Sequence, residues 1–477
     1  MVEDARHTIR NASWIVAQRG AHVVGAAVFA VLVPRLMGPA LFGRYTLLNS
    51  VSMWFALLSG VGAVSMMTRV VPGMMAAHNR DGLRTLTSSL IALRSLTGIG
   101  SAAGFLLVAA VLLGERDAAA VAWIAAGVFC RTTGNVPFAL FLGLNQAARW
   151  GMGELLRRWL GLTFVAAGFA LGGLRGACQG FFLAELGVQI AGLWWAREFL
   201  SWRAIDLRRG YLVPFLRTST VYATSGIVLV LTTRSGEAIV RLATGRYEEV
   251  AFFGAAFAIY LTVAHAVGQL TTALAPFLVA RMAQSQQREV TDWLGRALTV
   301  MTVVAVGSAA AMVFLGDTLV PWLLGPSYRA VARNAVPLMF TLFPASLASL
   351  GRVVALLIDR PRYSAESAFV ELAAFWGLGF LGASRVGSIG ACWALLPASM
   401  AHAAWILWRT RPVLAFPIAP AARAAALGLV FVPLAALRAD APLNVALLAA
   451  GALAYGALLV VTRAVTWAEI SALRRHL

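Results

Sequence analysis

Fourteen apolar stretches joined by short connectors run the length of this 477-residue chain. A helix that crosses a bilayer needs about 20 mostly apolar residues. The stretches fall at approximately 12–34, 45–70, 85–113, 118–143, 152–173, 176–196, 213–235, 249–276, 293–315, 334–358, 364–383, 386–408, 415–437 and 442–463. The longest hydrophilic stretch, Arg197 to Gly210, is shorter than one span, so no soluble domain is inserted. Hydrocarbon offers the backbone no hydrogen-bond partners, and long uninterrupted apolar runs satisfy it as helices. The sequence predicts an all-α integral membrane protein of about 14 transmembrane helices.

Charge agrees with that placement. Only 12% of residues are charged, against about 25% in soluble domains. The 39 basic residues outnumber the 20 acidic ones, and every one is Arg. Arg in place of Lys has two readings, genomic base composition and a planar fork for phosphate or carboxylate. Nucleic acid is not the expected partner, because the arginines sit at the ends of apolar spans and form no basic domain or helix. With the N-terminus placed inside, the inner connectors hold 22 arginines and the outer ones 10. That bias predicts both termini in the cytoplasm. The polar first eleven residues and the long span behind them predict an uncleaved first helix.

An internal echo divides the chain. Arg35-Leu36, Gly38 and Phe42-Gly43 follow the first span; Arg241-Leu242, Gly245 and Phe253-Gly254 follow the seventh, about 206 to 211 positions later. This predicts a parallel repeat of two six-helix lobes, residues 1–200 and 201–410, with two additional helices and a tail in 411–477.

Seven arginines lie inside the spans: Arg19, Arg94, Arg131, Arg217, Arg234, Arg352 and Arg423. An Arg at mid-bilayer costs roughly 2.5–3.5 kcal/mol, so such residues face a bundle interior or a wet cavity. Arg19 and His22 share a face of the first helix by their spacing. Arg94 is about ten residues into the third span. Arg131 is central in the fourth, ahead of Pro137, which interrupts the helix ladder. Arg234, Glu237 and Arg241 are spaced to share a face of the seventh helix, as a gate or an internal ion ladder. Arg217 and Arg352 lie near the cytoplasmic face, where snorkelling accounts for them. Buried acids are scarce: the first four spans hold none, and Glu185, Glu237, Glu366 and Glu371 stand out later. We assign substrate binding to Arg19, His22, Arg94, Arg131 and Arg234, and a gate or ladder to Glu237 and Arg241.

Other chemistry is missing from the sequence. There is no P-loop, no HExxH and no plausible GxSxG. Cys130, Cys178 and Cys392 are far apart and read as packing residues, with no disulfide framework and no metal site. No cofactor is expected. His265 and Gln269 share a face of the eighth span and read as a packed polar pair; His402 reads as core.

The connector Leu36-Met37-Gly38-Pro39-Ala40-Leu41-Phe42-Gly43-Arg44-Tyr45 resembles the L-G-P-x-x-F/Y-G-x-Y connector of Wzx-type polysaccharide flippases, in the multidrug/oligosaccharidyl-lipid/polysaccharide exporter superfamily. Ala273-Leu274-Ala275-Pro276 and Leu323-Leu324-Gly325-Pro326-Ser327-Tyr328-Arg329-Ala330 are similar to later segments of the family. The resemblance implies two six-helix lobes in a V with alternating access, in a bacterial inner membrane. It implies a substrate of oligosaccharide on undecaprenyl diphosphate, moved to the outer leaflet, and a cationic cavity as in MurJ-type lipid II flippases. Membrane lipids, a polysaccharide polymerase and glycosyltransferases are the partners implied. A drug or organic-cation exporter of the same superfamily is the alternative, weighed against by the acid-free first four spans. A membrane-embedded glycan polymerase or transferase is a further alternative, which lacks the large outer loop it needs.

Overall fold

The computed structural model describes residues 2–60, 63–413 and 416–462. Helices follow one another throughout, with no strand among the described residues: α1 (Val2–Leu58), α2 (Ala63–Ala76), α3 (Arg80–Val111), α4 (Ala118–Gly143), α5 (Ala147–Trp195), α6 (Arg209–Thr244), α7 (Tyr247–Ala283), α8 (Gln287–Leu324), α9 (Arg329–Leu357), α10 (Pro361–Val386), α11 (Ser388–Thr410), α12 (Ala419–Leu427), α13 (Phe431–Ala436) and α14 (Ala441–Val461). Among the described residues ten helices are long and apolar enough to cross a membrane. Two of them are far longer than one crossing and are broken once each, α1 at Gly38 and α5 at Gly172–Gly173. Counting their arms singly, and adding α4 and α6 of 26 and 36 residues, gives helical segments over all fourteen apolar stretches.

The chain divides into two compact units, Met1–Ala251 and Phe252–Leu477. The first is centred on Met66, Met67, Leu86, Phe141 and Val188, which are essentially inaccessible. The second is centred on Leu294, Leu298, Met301, Leu350 and Val354. A satellite cluster of Phe314, Phe431 and Tyr455 fixes α13 and α14 to α8, and the Tyr455 hydroxyl donates to the Ala424 carbonyl at 3.0 Å. Within the second unit α9 and α11 are more than half buried, while Ala419–Ala436 and α14 turn most of their surface outward. Outward apolar surface is what lipid requires.

The turns repeat. Among the described residues ten have positive φ: Gly38, His78, Gly114, Asn145, Gly173, Gly245, Ser285, Gly325, Asp359 and Gly387. In chain order the first five pair with the last five. Gly38 and Gly245 both have φ 69° and lie 207 positions apart; His78 and Ser285 lie 207 apart, Gly114 and Gly325 211, Asn145 and Asp359 214, and Gly173 and Gly387 214. L residues rarely adopt this region, so five matched pairs in one order are a geometric repeat, and the echo at Gly38 and Gly245 is its first member.

The last pair closes two matching hairpins. A Cβ at Gly168 would strike the Gly176 carbonyl, and one at Gly176 the Gly168 carbonyl. Gly382 and Gly390 stand in the same relation 214 positions later. The arms therefore touch backbone to backbone, which only Gly permits. Each hairpin continues Gly-Ala-Cys, and Cys178 and Cys392 are both buried and outside any disulfide.

His265 and Gln269 depart from the packed reading: both are exposed on α7. The buried stripe of that helix is Phe253, Phe257, Tyr260 and Val267. Its helical period places His265 on the other side. His402 is core, 1% exposed.

Candidate functional site

A layer of charge crosses the first unit between α4 and the two arms of α5. Glu185, 3% exposed, faces Arg131 at 3.4 Å and Arg157 Nε at 3.2 Å. Arg157 spreads its fork further, donating to Glu154 at 2.8 Å and to Asn135 Oδ1 at 2.7 Å. Gln189 Nε2 donates to Thr133 Oγ1 at 2.6 Å one turn beyond Glu185. The glycine contact near the α5 break sets the arms in register, so that Arg157 and Glu185 meet across 28 positions. Arg234 of α6 is half-buried, and its charge is felt at Arg131, Arg158 and Glu237. Four guanidiniums, of Arg131, Arg157, Arg158 and Arg234, thus stand against three carboxylates, of Glu154, Glu185 and Glu237. The layer keeps one net positive charge.

Arg94 is separate and barer. It is 5% exposed, and its Nε and Nη1 have no hydrogen-bond partner among the described residues. Its guanidinium presses on Gly60, where a Cβ would come within 2.7 Å of Nη1. This is the turn between α1 and α2, tied down by Ser59 Oγ and Thr132 Oγ1 at 3.2 Å. One turn further along α3, Gly98 packs against Phe129 and Thr132, the near neighbours of Arg131. A buried guanidinium with free N–H groups is an unsatisfied donor set, expensive in an apolar surrounding and complementary to an oxyanion.

The predicted trio on α6 separates. Glu237 is 2% exposed with Oε2 unpartnered, and no ion pair within 4 Å joins it to Arg234 among the described residues. The Arg234 carbonyl accepts from Trp54 Nε1 at 3.2 Å. Arg241 leaves this group for the end of the helix. It donates to the Gly245 carbonyl and stacks 3.9 Å from the Tyr247 ring centre. Arg44, in the echoed connector, lies 5.6 Å from the centre of the same ring. Gly43 packs so closely on the Tyr247 carbonyl that no side chain fits. The two echoed connectors therefore meet at Tyr247.

Glu115 locks that meeting. It is 7% exposed and accepts from Arg44 Nε at 3.2 Å and from Arg44 Nη2. The Tyr247 hydroxyl donates to it at 3.0 Å and the Asp117 backbone N–H at 3.2 Å. Burial pushes its carboxyl pKa up, but the Arg44 hydrogen bonds and charge, with the other donors, outweigh this and hold it below the ordinary value. Asp117 in turn caps α4 through the Ala120 N–H at 3.2 Å and pairs with Arg175.

Of the residues chosen from sequence, the structure brings Arg131 and Arg234 into one electrostatic group, sets Glu237 beside Arg234, and puts Arg94 one contact away through Gly98 and Thr132. Arg241 belongs to the Tyr247 cluster. The side chains of Arg19, His22 and Arg217 lie outside the described residues. Arg423 is exposed and Arg352 half-buried. Sequence reasoning missed Arg157 and Glu115. Arg157 stood among the connector arginines, yet it is ten residues into α5; its Glu154 partner three positions earlier was the available signal.

No family model and no curated protein matches the chain. Solved structures do. An inward-facing multidrug resistance MATE family transporter of the MOP superfamily superposes with a TM-score of 0.68 at 16% identity, over 83% of this chain and 94% of its own. The lipid II flippase MurJ, in an inward closed conformation, superposes with a TM-score of 0.73 at 12% identity, over 93% and 97%. The chain has their fold. A eukaryotic MATE transporter gives 0.56 at 14% identity over 88% and 100%. At these identities the likeness is one of architecture, that of a multi-pass helical membrane protein, and it extends over most of the chain. The residues of the site carry the rest of the argument.

Proposed function

We propose that this protein is a flippase that moves an oligosaccharide linked to undecaprenyl diphosphate from the cytoplasmic to the outer leaflet of a bacterial inner membrane, by alternating access, for surface polysaccharide synthesis. The supporting observation is the unsatisfied cationic interior of the first unit: Arg94 is buried with two N–H-bearing nitrogens unpaired, and the Arg131–Arg157–Arg158–Arg234 layer exceeds its carboxylates by one. A diphosphate diester carries two negative charges, which this excess would balance. Such a group is costly in hydrocarbon unless paired and hydrogen-bonded, and guanidinium forks pair with it bidentately. The lipid tail stays in the bilayer throughout. Arg19 and His22 are proposed to join the contact, and Glu237 and Arg241 to gate it. Both chain ends are proposed to be cytoplasmic, from the distribution of Arg among connectors.

A second reading, export of an organic cation, is favoured by the buried unpartnered Oε2 of Glu237 and by the likeness to MATE structures. One assay separates the two. Reconstitute the purified protein and follow undecaprenyl-diphosphate-linked sugar and ethidium in parallel. The flippase reading expects Arg94→Ala, Arg131→Ala and Arg234→Ala each to lower lipid movement by more than about tenfold, a loss of roughly 1.4 kcal/mol or more at the rate-limiting step, with Lys at these sites restoring part. Arg203→Ala, on an exposed connector, should be mild. Equal transport by all four variants, or movement of ethidium alone, would overturn it.

A further inference from the structure

Inside the second unit the hairpin acid is closed: Glu371 of α10 accepts from Ser399 at 2.5 Å and lies 2.6 Å from His402 Nδ1 of α11. Free charge collects instead where α10 begins and α11 ends. Four guanidiniums, of Arg360, Arg362, Arg409 and Arg411, stand there against the carboxylates of Asp359 and Glu366. Glu366 is taken by Arg409 Nη2 at 2.9 Å and Arg362 Nε at 3.0 Å. Arg360 and Arg411 are exposed and form no ion pair among the described residues. Beside them Trp408 turns its ring outward, 62% exposed. The Arg409 guanidinium sits 5.8 Å from the centre of that ring and 4.6 Å from the centre of the Tyr363 ring.

The repeat carries the same element into the first unit. Trp194 lies 214 positions before Trp408, the spacing of the last pair of glycine turns, and is 58% exposed at the end of α5. Arg197 sits 5.1 Å from its ring centre. It is exposed and forms no ion pair among the described residues. The segment beyond is pinned to α3, where the Ser88 and Ser89 hydroxyls accept from the Ser201 and Asp206 N–H groups at 2.9 and 2.7 Å. It holds Trp202 out at 88% exposed. The arginine comes from different positions in the two units, so what the repeat keeps is the pairing of exposed Trp with guanidinium.

A Trp near the end of a spanning helix is an ordinary interfacial anchor. With 23 residues, α11 is about 34 Å long, against a hydrocarbon core of about 30 Å, so both of its ends reach a headgroup layer. Trp393 marks the opposite end of the same helix, 47% exposed and stacked on Phe340 at 6.5 Å. Trp322, near the end of α8, is 71% exposed. Neither carries a guanidinium among the described residues, so anchoring alone does not call for one. A guanidinium laid on a ring spends its face on the π cloud and keeps its edge N–H groups for an acceptor. Phosphate oxygens take such N–H groups in pairs. A zwitterionic headgroup brings its own ammonium and leaves the surplus positive charge unbalanced, whereas an anionic headgroup balances it.

We propose that the Trp408–Arg409 end of α11, with Arg360 and Arg411, and the Trp194–Arg197 end of α5 are binding sites for the phosphate headgroup of an anionic phospholipid in the leaflet that meets them. The assignment does not rest on the transport reading.

The test titrates the full chain, purified in detergent, with phosphatidylglycerol or phosphatidylcholine. Native mass spectrometry counts the lipids retained, and the melting temperature is followed in parallel. The wild type should retain phosphatidylglycerol about fivefold better than phosphatidylcholine. Raising salt from about 0.1 to about 1 M should erase most of the preference, as screening shortens from about 10 to about 3 Å. Arg197→Gln should remove one retained phosphatidylglycerol, and Arg360→Gln/Arg411→Gln should weaken another several-fold. Trp393→Ala should leave both. The substituted arginines are exposed, and if a variant does not fold, the selectivity of the wild type decides. Equal retention of the two lipids overturns the proposal, as does a count unchanged when all three arginines are replaced. Loss in Trp393→Ala equal to that in Arg197→Gln reduces the sites to plain anchors and overturns it too. Inorganic phosphate that stabilises as well as phosphatidylglycerol at equal concentration would make this a free-anion site. A dimer mass that Arg197→Gln removes would give the surface to a second copy. Either result overturns the lipid assignment.

Discussion

The two glycine-tight hairpins are built alike and charged differently. In α5, Arg157 and Glu185 meet across the arms; in α10 and α11, Glu371 and Ser399 meet at the positions 214 residues later, again 28 apart. The backbone scaffold is the same to the level of the Gly-Ala-Cys that follows each turn. The first hairpin bears a surplus of guanidinium and the second a carboxylate with an imidazole. A repeated fold thus fixes where a polar pair can sit, and the side chains decide which charge stands there.

Exchanging the pairs would break this comparison most severely. The double variant Arg157→Glu/Glu185→Ser gives the first hairpin the chemistry of the second. It should fold to a detectable level and lose lipid movement altogether. The single change Glu185→Ala should be worse for folding, because it strands Arg131 and Arg157; removing one member of a buried ion pair costs about 3–5 kcal/mol. Yield and melting temperature in detergent measure both. If the double variant transports normally, the first hairpin is only a scaffold.

A smaller effect tests the shared backbone. Gly176→Ala and Gly390→Ala should destabilise by similar amounts, of order 1–3 kcal/mol, as overpacked sites do. Gly161→Ala, with open space around it, should be neutral or stabilising. A large difference between the two hairpin variants, read as melting temperature, would show that the contacts are not equivalent.

The smallest effect concerns the cluster at Tyr247, which the second unit does not share. Tyr247→Phe removes one donor to Glu115 and should cost about 1 kcal/mol. Because the Glu115 pKa is held below its ordinary value in the folded protein, its contribution is fully present above the unfolded value and is lost as pH falls through the folded one. Stability from this contact should therefore be flat from pH 8 down to about 5, then decline, and Glu115→Gln should remove the decline. An acid limb unchanged in Glu115→Gln would assign it to other carboxylates.

Much of the architecture was legible because hydrocarbon imposes a simple rule on length and polarity. The described residues of all fourteen apolar stretches are mostly helix, with a turn at Ser59–Gly60 inside the second, and Gly38 and Gly245 marked matching turns. Arg94 was recognisable as buried and Arg131 as half-buried because an Arg far from both span ends has nowhere to snorkel. Pairings were not legible. Arg157 meets Glu185 only because the glycine contact sets the arms in register, and no local pattern encodes that. Glu115 sat in a connector that reads as solvent, and its burial depends on Arg44 and Tyr247 arriving from distant segments. His402 was readable as core, but its partner on the preceding helix was not.

The close approach of Gly168 to Gly176 has a mechanical consequence. With the equally tight contact of Gly180 on the Phe164 carbonyl, it pins the two arms of α5 from the turn as far as Phe164, as a lever is held at its fulcrum. At 1.5 Å per residue, Arg157 stands about 10 Å beyond Phe164 and the start of the helix at Ala147 about 26 Å. A tilt of about 15° between the arms would shift Arg157 by about 3 Å, enough to part it from Glu185, and the helix start by about 7 Å. A small angle at the fulcrum is thereby geared into the making and breaking of one ion pair.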